Sequence, residues 1–581
     1  MARRPALLLA AALAVIAAGW LGFRTYEAGS HLSGARSALS DARQALLQQQ
    51  LDHARADIQA ARQDTASARS VTQDPLWRLV SHIPLLGRSF ETVTALTRAS
   101  DQLTHDTLTT GLTVAGRLDP QRIRRSDGSI DLAPLAQART ELAQALASAS
   151  GAQRLADSAP RSLLAPPVAK ARRDFLDQVD KLTAALHSAS TALQLAPALL
   201  GEDRTRRYFV AVQQNGESRG TGGLIGGYAV LRATHGRLEV ERQGTDRDLM
   251  ADTRYITPPA GLPSGYVAAY QDYDVFGVWS NINLPPDLPS VAKTISAKWQ
   301  ALTHEHLDGV IAVDGNGLQD LLAGSGPIDV GGGKTVRPEQ LAEYLAVGQY
   351  EGIPLAPQAI SSRKDRLEAV ASTVLRRVTG SGGNSGSLLR GLIQAVKTGH
   401  LRMASDDPSL AGLHTAGVDG ALPSGGGPVA YPVIYNAEGS KLDHWLGRTL
   451  HWSCGSNGKV TVAVDLQNDL PPGTLPPYIA LDLRQNPKVT VTRTDVVHLD
   501  LFVTRGATLV SATLDGKPVP ATRLTHGVVG GLPFWGTDLE LPEKQKHTFA
   551  LVLKGAGTPG AVRSPDQPLA RPLVRDVHDH C

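Results

Sequence analysis

The first pattern in the chain is an uninterrupted apolar run from Ala6 to Phe23, preceded by Arg3 and Arg4. Eighteen residues in a helix rise about 27 Å, close to the roughly 30 Å of a bilayer's hydrocarbon layer. The run therefore predicts a transmembrane helix, and the basic residues ahead of it predict a cytoplasmic amino terminus. A cleaved signal peptide is the alternative, although the run is longer than a usual signal core and no clean cleavage site follows it.

Helical spacing of apolar residues dominates the next part of the chain. Alanine and leucine recur at helical intervals between residues 28 and 70, with Arg, Asp and Gln elsewhere, which predicts one long amphipathic helix. Two prolines and a glycine between Asp74 and Gly87 interrupt this pattern and favour a helical hairpin. Further helical stretches are predicted at about 91–118, 133–156 and 166–195. We therefore expect a helical bundle or stalk.

The spacing changes from helical to strand-like further along the chain. Strands predicted at Tyr228–Ala233 and Arg237–Arg242, with a strand–helix–strand pattern over 307–330, indicate an α/β domain. Short strands separated by turns then predict a β-sandwich. These changes divide the chain into six parts. They are a membrane anchor (1–27), a helical bundle or stalk (28–204), an α/β domain (205–416), a linker (417–430), a β-sandwich domain (431–556) and an extended tail (557–581).

Charge and cysteine content narrow the classes of function. The chain has 58 Lys and Arg against 55 Asp and Glu, a formal net charge of +3, which is too balanced for a protein that binds the phosphate backbone of nucleic acid. The two cysteines, Cys454 and Cys581, lie in no zinc-ligand pattern. In an exported protein they are either a disulfide that ties the carboxyl terminus to the last domain or two free thiols.

Arginines, carboxylates and amides recur at predicted strand ends and loops of the α/β domain, where ligands commonly bind. They are Asn215, Glu217, Arg219, Asp246, Arg247, Asp248, Asn281, Asn283, Asp287, Arg363, Asp365 and Arg366. Arginine matches phosphate oxygens with paired hydrogen bonds, and carboxylates bind divalent cations. A convergent set would therefore bind a pyrophosphate together with Mg²⁺, whereas separate surface ion pairs are the alternative.

Several segments of the chain resemble a known family. They read PLWRLVSHIPLLG, FVAVQQNGESRGTGGLIGGYAVLRATHGRLEV, SNINLPPDLPSVAK, LDGVIAVDGNGLQDLLAGSGPIDV and YNAEGSKLDHWL. These segments are similar to the membrane-anchored actinobacterial proteins grouped as domain-of-unknown-function family 4012. The resemblance covers most of the chain, and because that family has no assigned activity it implies no particular reaction.

The α/β domain also resembles, less closely, the LytR-CpsA-Psr family, whose members are anchored once, face outwards and transfer glycopolymers from polyprenyl-pyrophosphate carriers to peptidoglycan. A Pro-Arg-Asp-Thr element of that family is similar to Asp246-Arg247-Asp248, although no proline precedes Arg247 and Leu249 replaces the threonine. The hypothesis of such a transferase assigns substrate binding to Arg219, Arg363, Arg366, Asn215 and Asn281, catalysis to Asp365 and Arg247, and Mg²⁺ binding to Asp246 and Asp248.

Two functions therefore remain open for this chain. The first is a glycopolymer phosphotransferase, bound to the lipid bilayer with its C-terminal domains outside the cytoplasm, that acts on a polyprenyl-phosphate lipid and a cell-wall glycan. The second is a non-catalytic scaffold or a polymer- or lipid-binding protein of the cell envelope, which the missing proline and threonine favour. A hydrolase is disfavoured, because the sequence offers no credible pair of nucleophile and base.

Overall fold

The computed structural model describes residues 3–47, 50–85, 87–331, 333–354, 370–374, 376–378, 385–455, 458–484 and 490–577. The chain divides into two compact units, and each is described by itself. The first unit comprises Met1–Arg125 and Ile130–Pro197, and the second comprises Ser126–Ser129 and Ala198–Cys581.

The first unit is built from helices, as the spacing of apolar residues predicts. They are α1 (Arg3–Leu47), α2 (Leu51–Val71), α3 (Pro75–Ser81), α4 (Gly87–Gln102), a π-helix (Leu103–Leu108), α5 (Thr109–Arg117), α6 (Pro120–Ile123), α7 (Ala133–Ser158) and α8 (Pro166–Leu199). Asp74 begins α3, because its carboxylate accepts the backbone N–H groups of Leu76 and Trp77 ahead of a proline in the first turn.

The single helix predicted over residues 28–70 is wrong, because the structure has two helices there. α1 and α2 lie antiparallel: His31 Nδ1 is 3.0 Å from Asp64 Oδ1, whereas the earlier Trp20 Nε1 is 3.4 Å from the later Asp74 Oδ2. Their buried stripes are rich in alanine, which lets the helices approach closely. No glycine or proline stands between the two helices, so the helical spacing gives no sign of the reversal.

The transmembrane helix predicted within residues 1–27 is also wrong. Across the described part of the chain, no helix contains a stretch that is both long and apolar enough to cross a membrane. The predicted run lies at the start of α1, which continues without interruption to Leu47. From residue 19 onward α1 carries charged side chains, among them Arg24 and Glu27, which form an ion pair of 2.7 Å.

The second unit begins with a mixed sheet in the strand order β3–β2–β1–β4–β7. The strands are β1 (Arg206–Arg219), β2 (Gly222–Thr234), β3 (Arg237–Thr245), β4 (Gly309–Asp314) and β7 (Leu401–Ala404), with β5 (Ile328–Asp329) and β6 (Thr335–Val336) as a separate pair. β1 runs parallel to β4, and the other neighbours are antiparallel. The predicted strand pair is confirmed, since Thr234 pairs with Arg237 across the turn between β2 and β3.

Helices cover both faces of this sheet. They are α9 (Asp246–Met250), α10 (Tyr266–Tyr270), α11 (Leu288–Thr303), α12 (Gly315–Leu322), α13 (Leu341–Ala346), α14 (Ser385–Lys397) and α15 (Gly412–Thr415). Because side chains alternate along a strand, Phe209 of β1 packs in one apolar cluster with Trp299 of α11. The neighbouring Val210 packs in a second cluster with Leu318 of α12 and Leu341 of α13. This arrangement is the α/β core that the sequence predicts.

Two further sheets of the second unit share one apolar core. Their strands are β8 (Ala430–Asn436), β9 (Leu446–Cys454), β10 (Lys459–Asn468), β13 (Asp495–Val503), β14 (Thr508–Leu514), β15 (Lys517–Pro518), β16 (Thr525–Val529), β17 (Leu532–Leu541), β18 (Lys546–Lys554) and β19 (Leu573–Val577), while β11 (Leu481–Asp482) pairs with β12 (Thr490–Val491). That core includes Val462, Leu499 and Phe549. It lies between a sheet with the strand order β15–β14–β18–β10–β9–β19 and a sheet with the strand order β16–β17–β13–β8. Cys454 is disulfide-bonded, and the chain's other cysteine, Cys581, lies outside the described residues.

Candidate functional site

An irregularity at the end of β1 places polar side chains at one edge of the central sheet. Gln214 pairs with Leu224 and Ser218 with Gly223, so the three residues between Gln214 and Ser218 have no partner in β2. Such an insertion changes the direction in which the side chains of a strand point. Asn215 and Glu217 lie in this insertion, and both line a cavity.

The cavity lies between the sheet and the helices on one of its faces. Its volume is about 150 Å³. Its walls are mainly apolar, and they include Val210, Val212, Leu224, Ala229, Val313, Leu318, Ala342, Leu345, Val370 and Val374. These residues come from β1, β2, β4, α12, α13 and the helical residues 370–374. A concave apolar site with a few polar groups is the usual form of a small-ligand site.

The polar end of the cavity holds a buried ion pair. The Nζ atom of Lys441 contacts the Glu217 carboxylate, and it lies 4.9 Å from the ring centre of Tyr478 and 5.5 Å from that of Tyr350. The two tyrosine rings stack with their centres 5.2 Å apart. Burial alone would lower the pKa of Lys441, but the Glu217 charge raises it above the usual range. Lys441 is therefore protonated and positively charged at neutral pH.

Asn215 is held in place by a second polar network. Its Nδ2 donates to Asp314 Oδ2 at 3.3 Å, and His400 Nδ1 lies 2.6 Å from the same oxygen. The other oxygen of Asp314 accepts the backbone N–H of Gly317 at 2.9 Å and begins α12. Burial alone would lower the pKa of His400, but the adjacent Asp314 raises it. The network fixes the amide of Asn215 at the cavity wall.

Three buried carboxyl groups lie close to this end of β1. Asp443 Oδ2 accepts the backbone N–H of Ser218 at 2.7 Å, and its Oδ1 accepts Asn436 Nδ2 at 3.0 Å. Burial raises the pKa of Asp443, raises that of Asp495 well above the usual range, and raises that of Glu438 to about 8. Because each group is less costly to bury as a neutral acid, we infer that Asp495 and Glu438 are protonated near neutral pH.

Two of the predicted substrate-binding residues hold a loop rather than lining the cavity. The guanidinium of half-buried Arg219 donates to the carbonyl oxygens of Ser280 (3.1 Å) and Ser218 (2.9 Å). Burial lowers the pKa of Arg219. Asn281 donates to the carbonyl oxygen of Tyr273 at 2.8 Å. These contacts fasten the chain around Tyr273 to Asn281 against the end of β1.

The three residues of the predicted Asp246-Arg247-Asp248 element occupy different environments in the structure. Asp246 lines the cavity at the first residue of α9. Asp248 caps that helix, because its Oδ2 accepts the backbone N–H of Thr245 at 2.8 Å. Arg247 is exposed. Within the described residues, no group of three or more His, Cys, Asp or Glu could hold a metal ion. Binding of Mg²⁺ by Asp246 and Asp248 remains a prediction.

The remaining predicted residues, Arg363, Asp365 and Arg366, lie outside the described part of the chain. Of the predicted set, the structure brings Asn215 and Asp246 together at one cavity, with Glu217 beside them. Sequence analysis missed Lys441, Tyr350 and Tyr478. Each lies more than a hundred residues from Glu217, and no local motif marks any of them.

Comparisons with known proteins identify one part of the chain. No curated protein and no solved structure matches it. A family model matches residues 203–350, about a quarter of the chain, and the matched segment carries β1, β2, β4, α12, α13 and Tyr350. The similarity is thereby confirmed for the three quoted segments that lie within this range. Residues 203–350 match the model of the family described as "Protein of unknown function (DUF4012)".

Proposed function

We propose that this chain is a cell-envelope protein whose α/β domain binds the lipid part of a polyprenyl-phosphate-linked glycan. The observation that carries the proposal is the cavity between β1, β2, α12 and α13, which has apolar walls and a buried ion pair at one end. Transfer of an apolar group from water to such walls is favourable by about 25 cal/mol for each Å² buried.

The size of the cavity limits how much of a lipid it admits. A dry cavity of about 150 Å³ admits a molecule of the size of benzene. One branched five-carbon unit of an isoprenoid chain therefore enters, and the remainder of the chain lies outside. The bound part is the end of the chain next to the phosphate, since the polar end of the cavity can then contact the head group.

Lys441 supplies the charge for that contact. Among the described lining residues it is the only Lys or Arg. Its ammonium group has three N–H donors, and within the described residues the acidic side chain that it contacts is that of Glu217. A phosphate oxygen that approaches Lys441 accepts a second charge-assisted hydrogen bond without breaking the ion pair.

The disulfide at Cys454 supports a location outside the cytoplasm. Disulfides persist in oxidising compartments and are rare where cellular thiols keep cysteines reduced. Lipid-linked glycan intermediates of the cell envelope are present on that side of the membrane. The proposed ligand and the proposed compartment are therefore consistent.

The proposal is tested by binding of polyprenyl phosphate to the full-length protein in detergent. Val212→Trp fills the cavity with an aromatic ring, and we expect it to weaken binding at least tenfold. Val510→Trp places the same ring on the exposed face of β14, and we expect binding equal to that of the unaltered protein. Equal binding by both variants would exclude the cavity as the lipid site.

A second candidate is the transfer of the glycan from its lipid carrier, as in the LytR-CpsA-Psr family. The observation in its favour is that Asn215, predicted to bind the substrate, and Asp246, predicted to bind Mg²⁺, line the same cavity. The test is product formation by the full-length protein with a polyprenyl-pyrophosphate glycan and a wall acceptor. Lipid binding without product supports the binding function alone.

A further inference from the structure

One end of the helical bundle exposes large apolar side chains to solvent. Leu79, Leu85 and Leu163 expose 67%, 65% and 66% of their surface, and Phe23 exposes 56%. Trp20 and Ile83 are exposed beside them. We call these six residues the leucine tip. Several large apolar side chains exposed on neighbouring segments mark a contact with another apolar phase.

Hydrogen bonds hold the segments of the leucine tip together. Arg88 Nη1 donates to the carbonyl oxygen of Ser162 at 3.3 Å and to its hydroxyl at 3.0 Å. The backbone N–H of Ala165 donates to the Ser89 hydroxyl at 2.9 Å. These bonds place the loop that carries Leu85 beside the loop that carries Leu163. The indole of Trp20 lies 3.4 Å from Asp74, the residue that caps α3.

The backbone of the tip is strained at its two most protruding leucines. Leu85 has φ = 71° and Leu163 has φ = 60°. A bulky residue is a rare outlier in this left-handed region, where glycine is the default. Both leucines are exposed, so packing within the bundle does not offset the strain. Presentation of an apolar side chain to an external partner accounts for leucine at both positions.

The charges around the tip are suited to an anionic partner. Arg78 is exposed on α3, and Arg88 bonds to Ser162 rather than to a carboxylate. Within the described residues, neither arginine forms an ion pair with an acidic side chain. Arg24 lies with its guanidinium 4.7 Å from the indole ring of Trp20 and is already paired with Glu27 (2.7 Å) and Asp74 (3.5 Å). Tryptophan next to arginine is typical of the interface between lipid head groups and water.

We propose that the leucine tip docks on the surface of an anionic lipid bilayer. Leu85 and Leu163 enter the boundary between head groups and acyl chains, and Arg78 and Arg88 contact the phosphates. A lipid layer accommodates two protruding loops without a matching groove, whereas a second protein would need one. This docking is independent of the cavity, which lies in the other unit of the chain.

The test uses the full-length protein and vesicles without polyprenyl lipids, so that its outcome is separate from that of the proposed function. Leu85→Gly/Leu163→Gly removes both apolar groups and relieves the strained backbone, so folding is retained. We expect this variant to float with phosphatidylglycerol vesicles at least tenfold less than the unaltered protein. Val510→Ser/Val528→Ser removes two exposed valines from strands and should float like the unaltered protein.

A probe at the tip reports its environment directly. Leu85→Cys, labelled with a polarity-sensitive fluorophore, should shift to shorter wavelength with phosphatidylglycerol vesicles, and less with phosphatidylcholine vesicles or in high salt. A label that remains in water would overturn the proposal, as would equal flotation of the glycine variant. Loss of a dimer by the glycine variant in the absence of vesicles would also overturn it, because the partner would then be a second copy of the chain.

Discussion

At the scale of single residues, the cavity depends on a charged pair that is removed from water. Lys441 and Glu217 are both buried, and the tyrosine rings of Tyr350 and Tyr478 cover the ammonium group. Burying two ions is costly, and their attraction offsets the cost only while both are present. Removal of either residue would therefore leave the other as an unpaired buried charge.

Lys441→Met should reduce the free energy of unfolding by about 3–5 kcal/mol, because it leaves the Glu217 carboxylate buried without a cation. Adding Glu217→Gln to this variant should recover most of that loss. Urea unfolding followed by circular dichroism measures both effects. Lys517→Met, on an exposed residue, is the control and should change stability by less than about 0.5 kcal/mol. An additive double variant would contradict the pairing.

Stability should fall as pH rises, because buried acids keep their protons in the folded state. The pKa of Glu438 is raised to about 8, so the folded chain holds a proton that the unfolded chain releases above about pH 4.5. Between these values the free energy of unfolding should fall by about 1.4 kcal/mol per pH unit for this group. Glu438→Gln should reduce that slope in urea unfolding from pH 5 to pH 8. An unchanged slope, or the same reduction in the exposed control Glu339→Gln, would contradict this role.

Residue types in the sequence predicted only part of the site. Asn215 and Asp246 were predicted and line the cavity, because both stand at the ends of strands that sequence patterns indicate. Arg219 was predicted from its charge, but its guanidinium donates to backbone carbonyl oxygens instead of lining the cavity. Lys441 was missed, since the sequence alone does not show that the loop after β8 reaches the end of β1.

At the scale of elements, close packing of α12 and α14 supports the cavity wall. A Cβ atom on Gly391 of α14 would lie 2.1 Å from the carbonyl oxygen of Asp320 in α12. The two helices can therefore approach this closely only with glycine at the contact. Leu318, on the same helix as Asp320, lines the cavity.

Gly391→Ala should destabilise the protein by about 1–3 kcal/mol, because the clash exceeds the usual gain in helix propensity. Gly111→Ala in α5 is the matched control, since a Cβ atom there has no neighbour within 4 Å. It should stabilise the protein by about 0.5–1 kcal/mol. Thermal unfolding of both variants measures the contrast. A stabilising Gly391→Ala would show that the helices can separate without loss.

Local signals explain which elements the sequence predicted. The hairpin of β2 and β3 was predicted because His235-Gly236 marks its turn, and both residues have positive φ. The reversal between α1 and α2 was missed because no turn residue marks it. The apolar run at the start of α1 led to a transmembrane prediction that the described helices do not support.

At the scale of the whole molecule, the second unit joins the α/β core with two β-sheets whose last strand is β19. β19 pairs in parallel with β9, the strand that ends at the disulfide-bonded Cys454. A covalent link near this pair restricts the unfolded chain and opposes separation of β19.

Cys454→Ser should lower the free energy of unfolding by about 2–5 kcal/mol. Treatment of the unaltered protein with a reductant should give the same loss, and the reductant should not affect the variant. Thermal unfolding with and without reductant is the measurement. A reductant effect that persists in Cys454→Ser would contradict the role of this disulfide.

The central claim is that the α/β domain holds a polyprenyl lipid in its cavity. Photo-crosslinking tests it most directly, with a polyprenyl phosphate that carries a diazirine in the isoprene unit next to the phosphate. We predict labelled peptides from β1, α12 and α13, and loss of this labelling in Val212→Trp but not in Val510→Trp. Labelling that maps to other surfaces, or that Val212→Trp leaves unchanged, would contradict the account.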